Sequence, residues 1–213
     1  MKILSHRGYW KSVEEKNSRL AFERSFKLGF GTETDLRDYN GEIVISHDMP
    51  TENEMTLTQF LDLASDYSTA SFPLTLALNI KADGLHKEVS TNLTRFNNIN
   101  YFLFDMSVPD MRIYIQNGLT TYTRYSDVEQ HPVYFEEADG VWLDNFSKDT
   151  WIKQEILSEL LSKKKVCVVS AELHNNNPED LWNIMHPLRD NGNLSLCTDK
   201  PEEAFIFFGK DYE

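Results

Sequence analysis

Short apolar runs alternate with stretches of helical periodicity along the whole chain, and few folds accommodate that rhythm. Runs of strand character occupy Lys2–Ser5, Phe30–Leu36, Leu74–Lys81, Tyr101–Asp105, Leu119–Thr123, Gly140–Asp144, Val166–Glu172 and Leu194–Thr198. Helix signals lie between them. Asn17-Ser18 can cap a helix whose apolar face is Leu20, Ala21, Phe22, Phe26 and Leu28, stopped by Gly29. Thr56-Leu57-Thr58-Gln59 resembles a capping box. Asp83, Pro109 and Asn177-Pro178-Glu179 open further helices, and a last one from Pro201 turns Ala204, Phe205 and Phe208 inward. The spacing of Trp151, Ile152, Ile156, Leu160 and Leu161 predicts a helix over Lys148–Ser162. One extra strand breaks the rhythm. Tyr39-Asn40-Gly41 is a tight-turn signal, and Ile43–Ser46 after it pairs back as a hairpin that brings His47 beside Glu33 and Asp35.

Strict alternation of strand and helix implies parallel pairing. Eight such units in 213 residues predict an α/β fold, a compact (β/α)8 TIM barrel with a small β-hairpin insertion after strand two. A doubly wound open sheet is the weaker alternative, because no Gly-rich phosphate loop follows the first strand. No linker, low-complexity tract or repeat interrupts the chain, so residues 1–213 read as a single domain.

The formal net charge of -13 and pI of about 4.9 disfavour nucleic acid and anionic membrane surfaces as partners. A small anionic substrate remains compatible, if local cations reverse the field inside one cleft. No apolar run approaches the ~20 residues of a membrane span. His6 stands too near the start for a cleavable leader to precede it, so a cytoplasmic protein is expected. Cys167 and Cys197 sit in apolar strands and read as buried thiols. Lys163–Lys165 reads as a solvated helix end, His86, His131 and His186 as surface residues, and the sequon Asn92-Leu93-Thr94 as incidental.

A barrel of this kind carries its chemistry at the C-terminal ends of the strands. Charged and polar residues gather there. They are His6 and Arg7, Glu33 and Asp35, His47 and Asp48, Asn79 and Lys81, Asp105, Arg124, Trp142 and Asp144, Glu172 with His174, and Asp199. Residues two apart on a strand share a face, so Glu33 pairs with Asp35 and Asn79 with Lys81. Adjacent carboxylates repel unless a cation lies between them, and oxygen ligands suit Mg2+ or Ca2+. Arg7 and Lys81 can neutralise an anionic substrate, and two histidines can exchange protons near neutral pH. Arg124, Trp142 and Glu172 are further candidates for substrate contact at the barrel mouth.

Four segments carry a family resemblance. Ser5-His6-Arg7-Gly8, Lys16-Asn17-Ser18 before Ala21-Phe22, Gly31-Thr32-Glu33-Thr34-Asp35, and Gly41 before Ser46-His47-Asp48 resemble the glycerophosphodiester phosphodiesterase family. The likeness continues more loosely through Asn79-Ile80-Lys81 and Thr198-Asp199-Lys200-Pro201. It implies a barrel enzyme that hydrolyses a glycerol- or sugar-linked phosphodiester with a divalent cation. His6 and His47 would be the acid/base pair, Arg7 would contact phosphate, and Glu33 and Asp35 would hold the metal. A hydroxyl of the substrate would attack phosphorus and give a cyclic intermediate that water opens. Two positions depart from the pattern. Asn79 stands where the family has a third metal-binding Glu, and Lys16 stands where it has a Glu before Asn17. The first leaves open a second reading, a weakly active or non-catalytic relative that binds a phosphate-bearing ligand at a degraded metal site.

Overall fold

The computed structural model describes residues 1–148 and 150–209, so Asp149 of the helix expected at Lys148–Ser162 and residues 210–213 of the expected domain lie outside it. Nine strands and seven helices are formed among the described residues. The strands are β1 (Lys2–His6), β2 (Gly31–Tyr39), β3 (Glu42–Ile45), β4 (Leu74–Ile80), β5 (Ile99–Phe104), β6 (Tyr122–Tyr125), β7 (Gly140–Leu143), β8 (Lys165–Val169) and β9 (Leu194–Thr198). The helices are α1 (Arg19–Lys27), α2 (Leu57–Tyr67), α3 (His86–Leu93), α4 (Val108–Gln116), α5 (Gln154–Lys163), α6 (Glu179–Met185) and α7 (Pro201–Gly209).

Eight strands pair in parallel in the order β5-β4-β2-β1-β9-β8-β7-β6. The ring is nearly closed. Between β5 and β6 a single parallel bridge joins Leu103 to Thr121, and the Leu103 N–H donates to the Thr120 carbonyl at 2.9 Å. This is the expected (β/α)8 barrel. β3 pairs antiparallel with the outer half of β2, from Leu36↔Ile45 to Tyr39↔Glu42, across a turn at Asn40 and Gly41 that both take positive φ.

The alternation is less strict than the sequence pattern implies. β6 begins three residues later than the run Leu119–Thr123, and no helix is formed among the described residues between β6 and β7. The strand expected over Val166–Glu172 ends at Val169, and Ala171–His174 is one turn of 3-10 helix. Trp151 and Ile152 precede α5 rather than belong to it. Helix caps follow the sequence signals more closely. The Ser18 hydroxyl accepts from the Ala21 N–H at 3.2 Å, and Thr56 and Gln59 form a reciprocal capping box.

Two apolar layers lie between strands and helices. Phe22, Phe60, Leu61, Leu76 and Leu78 belong to one, and Leu157, Val166, Val168, Met185 and Leu196 to the other. Leu20 and Leu28 were expected on the inner face of α1 but are about half exposed, because they fall to the side of the stripe made by Ala21, Phe22, Ser25 and Phe26. Phe205 of α7 is exposed for the same reason. His86 and His186 are only half exposed. The first meets Tyr114 edge-on, and the second packs on Phe207 and Phe208.

The barrel interior is filled by Leu4, Ala77, Phe102, Phe104, Tyr122, Trp142, Cys167, Val169 and Cys197. Phe102 stacks on Tyr122 at 3.9 Å and Phe104 on Trp142 at 4.0 Å. Gly140 makes room for this, since a Cβ there would stand 2.5 Å from the Tyr122 ring. Both cysteines are free, fully buried thiols, and burial pushes both well up in pKa. This packed floor leaves the C-terminal ends of the strands as the place where a cavity can form.

Candidate active site

A cavity of about 420 Å³ opens at those ends. It is lined by His6, Arg7, Glu33, Asp35, Asn79, Lys81, Asp105, Arg124, Trp142, Asp144 and His174, with Tyr125, Val128, Phe146 and Leu173 among its apolar wall. Register explains the gathering. His6 lies level with Glu33, Asp35 with Asn79, and Arg124 with Trp142.

The segment after β1 is held in an unusual backbone shape. Arg7 and Gly8 both take left-handed φ, at 57° and 82°. The Arg7 N–H donates to the Glu33 carbonyl and its own carbonyl accepts from Asn17, both at 2.9 Å, while the Gly8 N–H donates to Thr32 Oγ1. A Cβ on Gly8 would lie 2.7 Å from that of Ala21. Asn17, also at positive φ, accepts from Thr34 Oγ1 and donates through Nδ2 to Asp35 Oδ2 at 3.0 Å. Backbone strain of this kind costs on the order of 1–3 kcal/mol per residue and persists where surrounding contacts over-determine it.

Asp35 is fully buried and flanked by cations, with Arg7 Nε at 3.2 Å and Lys81 Nζ at 3.5 Å. Lys81 also approaches Asp105 at 3.6 Å, and Asp105 accepts from Arg124 Nη1 at 3.0 Å. Arg124 is held from the other side by Glu129. Glu33 is 3% exposed, and burial, then the neighbouring Asp35, pushes its carboxyl well above the usual carboxylate range.

Four buried atoms at this point have no hydrogen-bond partner. They are Glu33 Oε2, Asp35 Oδ1, Asn79 Oδ1 and Arg7 Nε. Buried polar atoms are ordinarily satisfied, so three oxygens left unsatisfied together match a hard cation. No group of three His, Cys, Asp or Glu side chains suited to a metal occurs among the described residues. The oxygen set therefore has two carboxylates and one amide, one negative charge fewer than three carboxylates would supply.

His6 is a half-buried imidazole whose Nδ1 meets Asp199 Oδ1 at 2.7 Å, with Nε2 3.9 Å from Glu33 Oε2. Burial lowers its pKa, opposed by the hydrogen bond to Asp199. Across the cavity His174 Nε2 meets Asp144 Oδ1 at 2.8 Å, and its ring lies 4.8 Å from Phe146.

Most of the sequence-derived site residues thus meet. His6, Arg7, Glu33, Asp35, Asn79, Lys81, Arg124 and Trp142 all line the cavity. His47 and Glu172 do not. His47 is 41% exposed beyond the end of β3 and pairs with Asp48 at 2.9 Å. Glu172 instead accepts from Ser170, Thr198 and the Asp199 N–H, between the ends of β8 and β9. The roles of Asp199, Asn17 and the His174–Asp144 pair were not assigned from sequence. Asp199, Asp144 and His174 were visible there as polar strand-end residues, but nothing in sequence pairs Asp199 with His6 across 193 positions.

The site is thus a cation-flanked carboxylate pair with two half-buried imidazoles at the mouth of a parallel barrel. Among solved structures the chain resembles a glycerophosphodiester phosphodiesterase from Agrobacterium tumefaciens, at TM-score 0.68 and 12% identity over 99% of this chain and 100% of that one. It also resembles a glycerophosphoryl diester phosphodiesterase from Parabacteroides distasonis, at TM-score 0.66 and 14% identity over 98% of this chain and 86% of that one. A Ca2+-dependent phosphatidylinositol-specific phospholipase C from Streptomyces antibioticus aligns at TM-score 0.59 and 9% identity over 97% and 95%. The barrel fold is shared with these enzymes. No family model and no curated protein matches the sequence. No helix of the described residues is long and apolar enough to cross a membrane.

Proposed function

We propose that the chain is a divergent glycerophosphodiester phosphodiesterase, hydrolysing a glycerol- or sugar-linked phosphodiester with a divalent cation. The observation that carries this is the trio of buried, unsatisfied oxygens of Glu33, Asp35 and Asn79 beside Arg7 and Lys81. Those oxygens would hold Mg2+ or Ca2+, which when bound supplies Lewis-acid neutralisation of phosphoryl charge. The names of the structurally similar enzymes, one of them Ca2+-dependent, support the same choice.

The residues of the chain then divide the work. Arg7, Lys81 and Arg124 provide positive charge for the non-bridging oxygens, and the remaining carboxylates keep those cations in place. Asp199 fixes the ring of His6 through Nδ1, leaving Nε2 to take the proton from the attacking hydroxyl. Trp142 forms a flat apolar wall. The departing alkoxide needs a proton donor, and the resemblance pairs His47 with His6 in acid/base work without dividing the two roles. Release of phosphomonoester from a panel of glycerophosphodiesters is the test. Cleavage should be abolished by chelator and restored by Mg2+ or Ca2+. Cleavage that survives both chelation and His6→Ala would overturn the proposal.

Asn79 favours a second reading, in which the weakened metal site binds a phosphate-bearing ligand without turnover. Calorimetric titration with Mg2+ and with Ca2+ separates the two. Binding accompanied by turnover supports the enzyme. No binding at millimolar metal, with glycerol 3-phosphate still bound, supports the second reading.

A further inference from the structure

The cavity contains two imidazoles, and only one of them is His6. His174 lies at the end of the turn that follows β8, while the unsatisfied oxygens lie on β2 and β4. In the ring order β4 and β8 are diametrically opposed, as are β2 and β7. His174 and Asp144, at the end of β7, therefore face the phosphate-binding wall from across the mouth. His47, by contrast, is not among the residues that line the cavity.

The position of His174 is built rather than incidental. Asp144 Oδ1 binds Nε2 at 2.8 Å and also accepts from the Asn145 N–H at 2.7 Å, which orients the carboxylate. Phe146 packs against the ring. The loop carrying Phe146 is itself tied down, since Asp127 accepts from the Phe146 and Ser147 N–H groups at 2.9 and 3.0 Å. Three strand-end segments thus converge on one imidazole. Its Nδ1 makes no hydrogen bond to any described residue and is not among the buried unsatisfied atoms. It is the ring position left for a ligand.

We propose that His174, oriented by Asp144, is the group that protonates the leaving alkoxide of the phosphodiester, a role that rests on the hydrolase reading above. As the attacking oxygen bonds to phosphorus, its proton passes to His6 Nε2. The bond from phosphorus to the departing oxygen breaks, and that oxygen takes the proton from His174 Nδ1. The products are the departed alcohol, a cyclic phosphodiester that water then opens, protonated His6 and neutral His174, still donating through Nε2 to Asp144. Exchange with water returns a proton to His174 and removes one from His6. The hydrogen bond to Asp144, with further charge from Asp144 and Asp127, raises the pKa of His174, which suits a proton donor.

Two substrates separate this role from a structural one. In sn-glycero-3-phosphoethanolamine the departing ethanolamine oxygen must be protonated to leave, whereas sn-glycero-3-phospho-p-nitrophenol, with the same attacking glycerol hydroxyl, expels a stable phenolate. His174→Gln should lower kcat on the first by about 10²–10⁴-fold and alter kcat on the second only a few-fold. Asp144→Asn should act in the same direction, with thermal unfolding verifying that both variants fold. Equal losses on both substrates, no loss on either, or the alkyl-selective loss in His47→Ala instead would overturn the proposal. If the wild-type protein cleaves neither of these nor any other diester of the panel, the hydrolase reading fails. His174 is then judged by NMR, with its ring resonance identified by its absence in His174→Gln. A shift of that resonance on adding glycerol 3-phosphate supports contact with the ligand, and no shift removes His174 from the site.

Discussion

Single side chains show what burial does to chemistry at this site. His6 is half-buried and carries Asp199 on one nitrogen, so its replacement removes the proposed proton acceptor together with the ion pair that orients it. His6→Ala should lower kcat for diester cleavage by about 10²–10⁴-fold with the fold intact, as checked by circular dichroism. The His174–Asp144 pair makes a prediction about stability. The folded pKa of His174 is raised above its ordinary value near 6.5, so the folded state holds a proton that the unfolded state releases. The resulting stabilisation is fully present below the unfolded pKa and is lost as pH rises through the folded one. Denaturant midpoints of wild type and Asp144→Asn should accordingly differ most at mildly acidic pH and converge at alkaline pH. A constant gap across the range would rule out this linkage.

Local elements are held by a few irreplaceable contacts. The turn between β1 and α1 combines a left-handed backbone at Gly8 with direct contact to Ala21. Gly8→Ala should therefore cost at least about 2 kcal/mol and displace Arg7 from Asp35, readable as weaker phosphate binding as well as a lower melting temperature. Phe60 of α2 is fully buried and meets Phe22 edge-to-face at 4.7 Å. Phe60→Ala should cost about 3–5 kcal/mol in chemical denaturation without altering the pH profile of cleavage, because this packing lies outside the barrel and away from the cavity. Strand, hairpin and cap signals were legible in the sequence because they depend on neighbouring residues. The missing helix between β6 and β7 and the early end of β8 were not legible. There the apolar residues satisfy a periodicity, but tertiary packing sets how far the element runs.

At the scale of the whole molecule, the barrel is sealed unevenly. β1, β2 and β9 are joined by continuous ladders, while β5 and β6 share one bridge. Amide exchange should be faster over Tyr122–Tyr125 than over the inner half of β2, and equal protection would contradict a weak seam there. That seam carries Asp105 and Arg124, so its opening would disturb the cationic side of the cavity. The metal site proposed above would also be a property of the assembled ring, since the oxygens of Glu33, Asp35 and Asn79 come from β2 and β4. Asn79→Glu should tighten Mg2+ or Ca2+ binding in calorimetry, because it restores a charge to an oxygen set that has only two.

The sequence by itself determined the barrel, the sheet-end location of its cavity and most of the residues that line it. Alternating periodicity dictates parallel pairing, and spacing of two along a strand puts Glu33 with Asp35 and Asn79 with Lys81 on shared faces. Only the tertiary structure decided which distant groups meet. It joined His6 to Asp199, clamped Asp35 between Arg7, Lys81 and Asn17, and set His174 with Asp144 inside the cavity while leaving His47 and Glu172 out of its lining. The physical reason is that strand periodicity fixes a side chain's face, whereas its partner depends on the closure of the ring and on loops whose courses are set by packing and side-chain hydrogen bonds far along the chain.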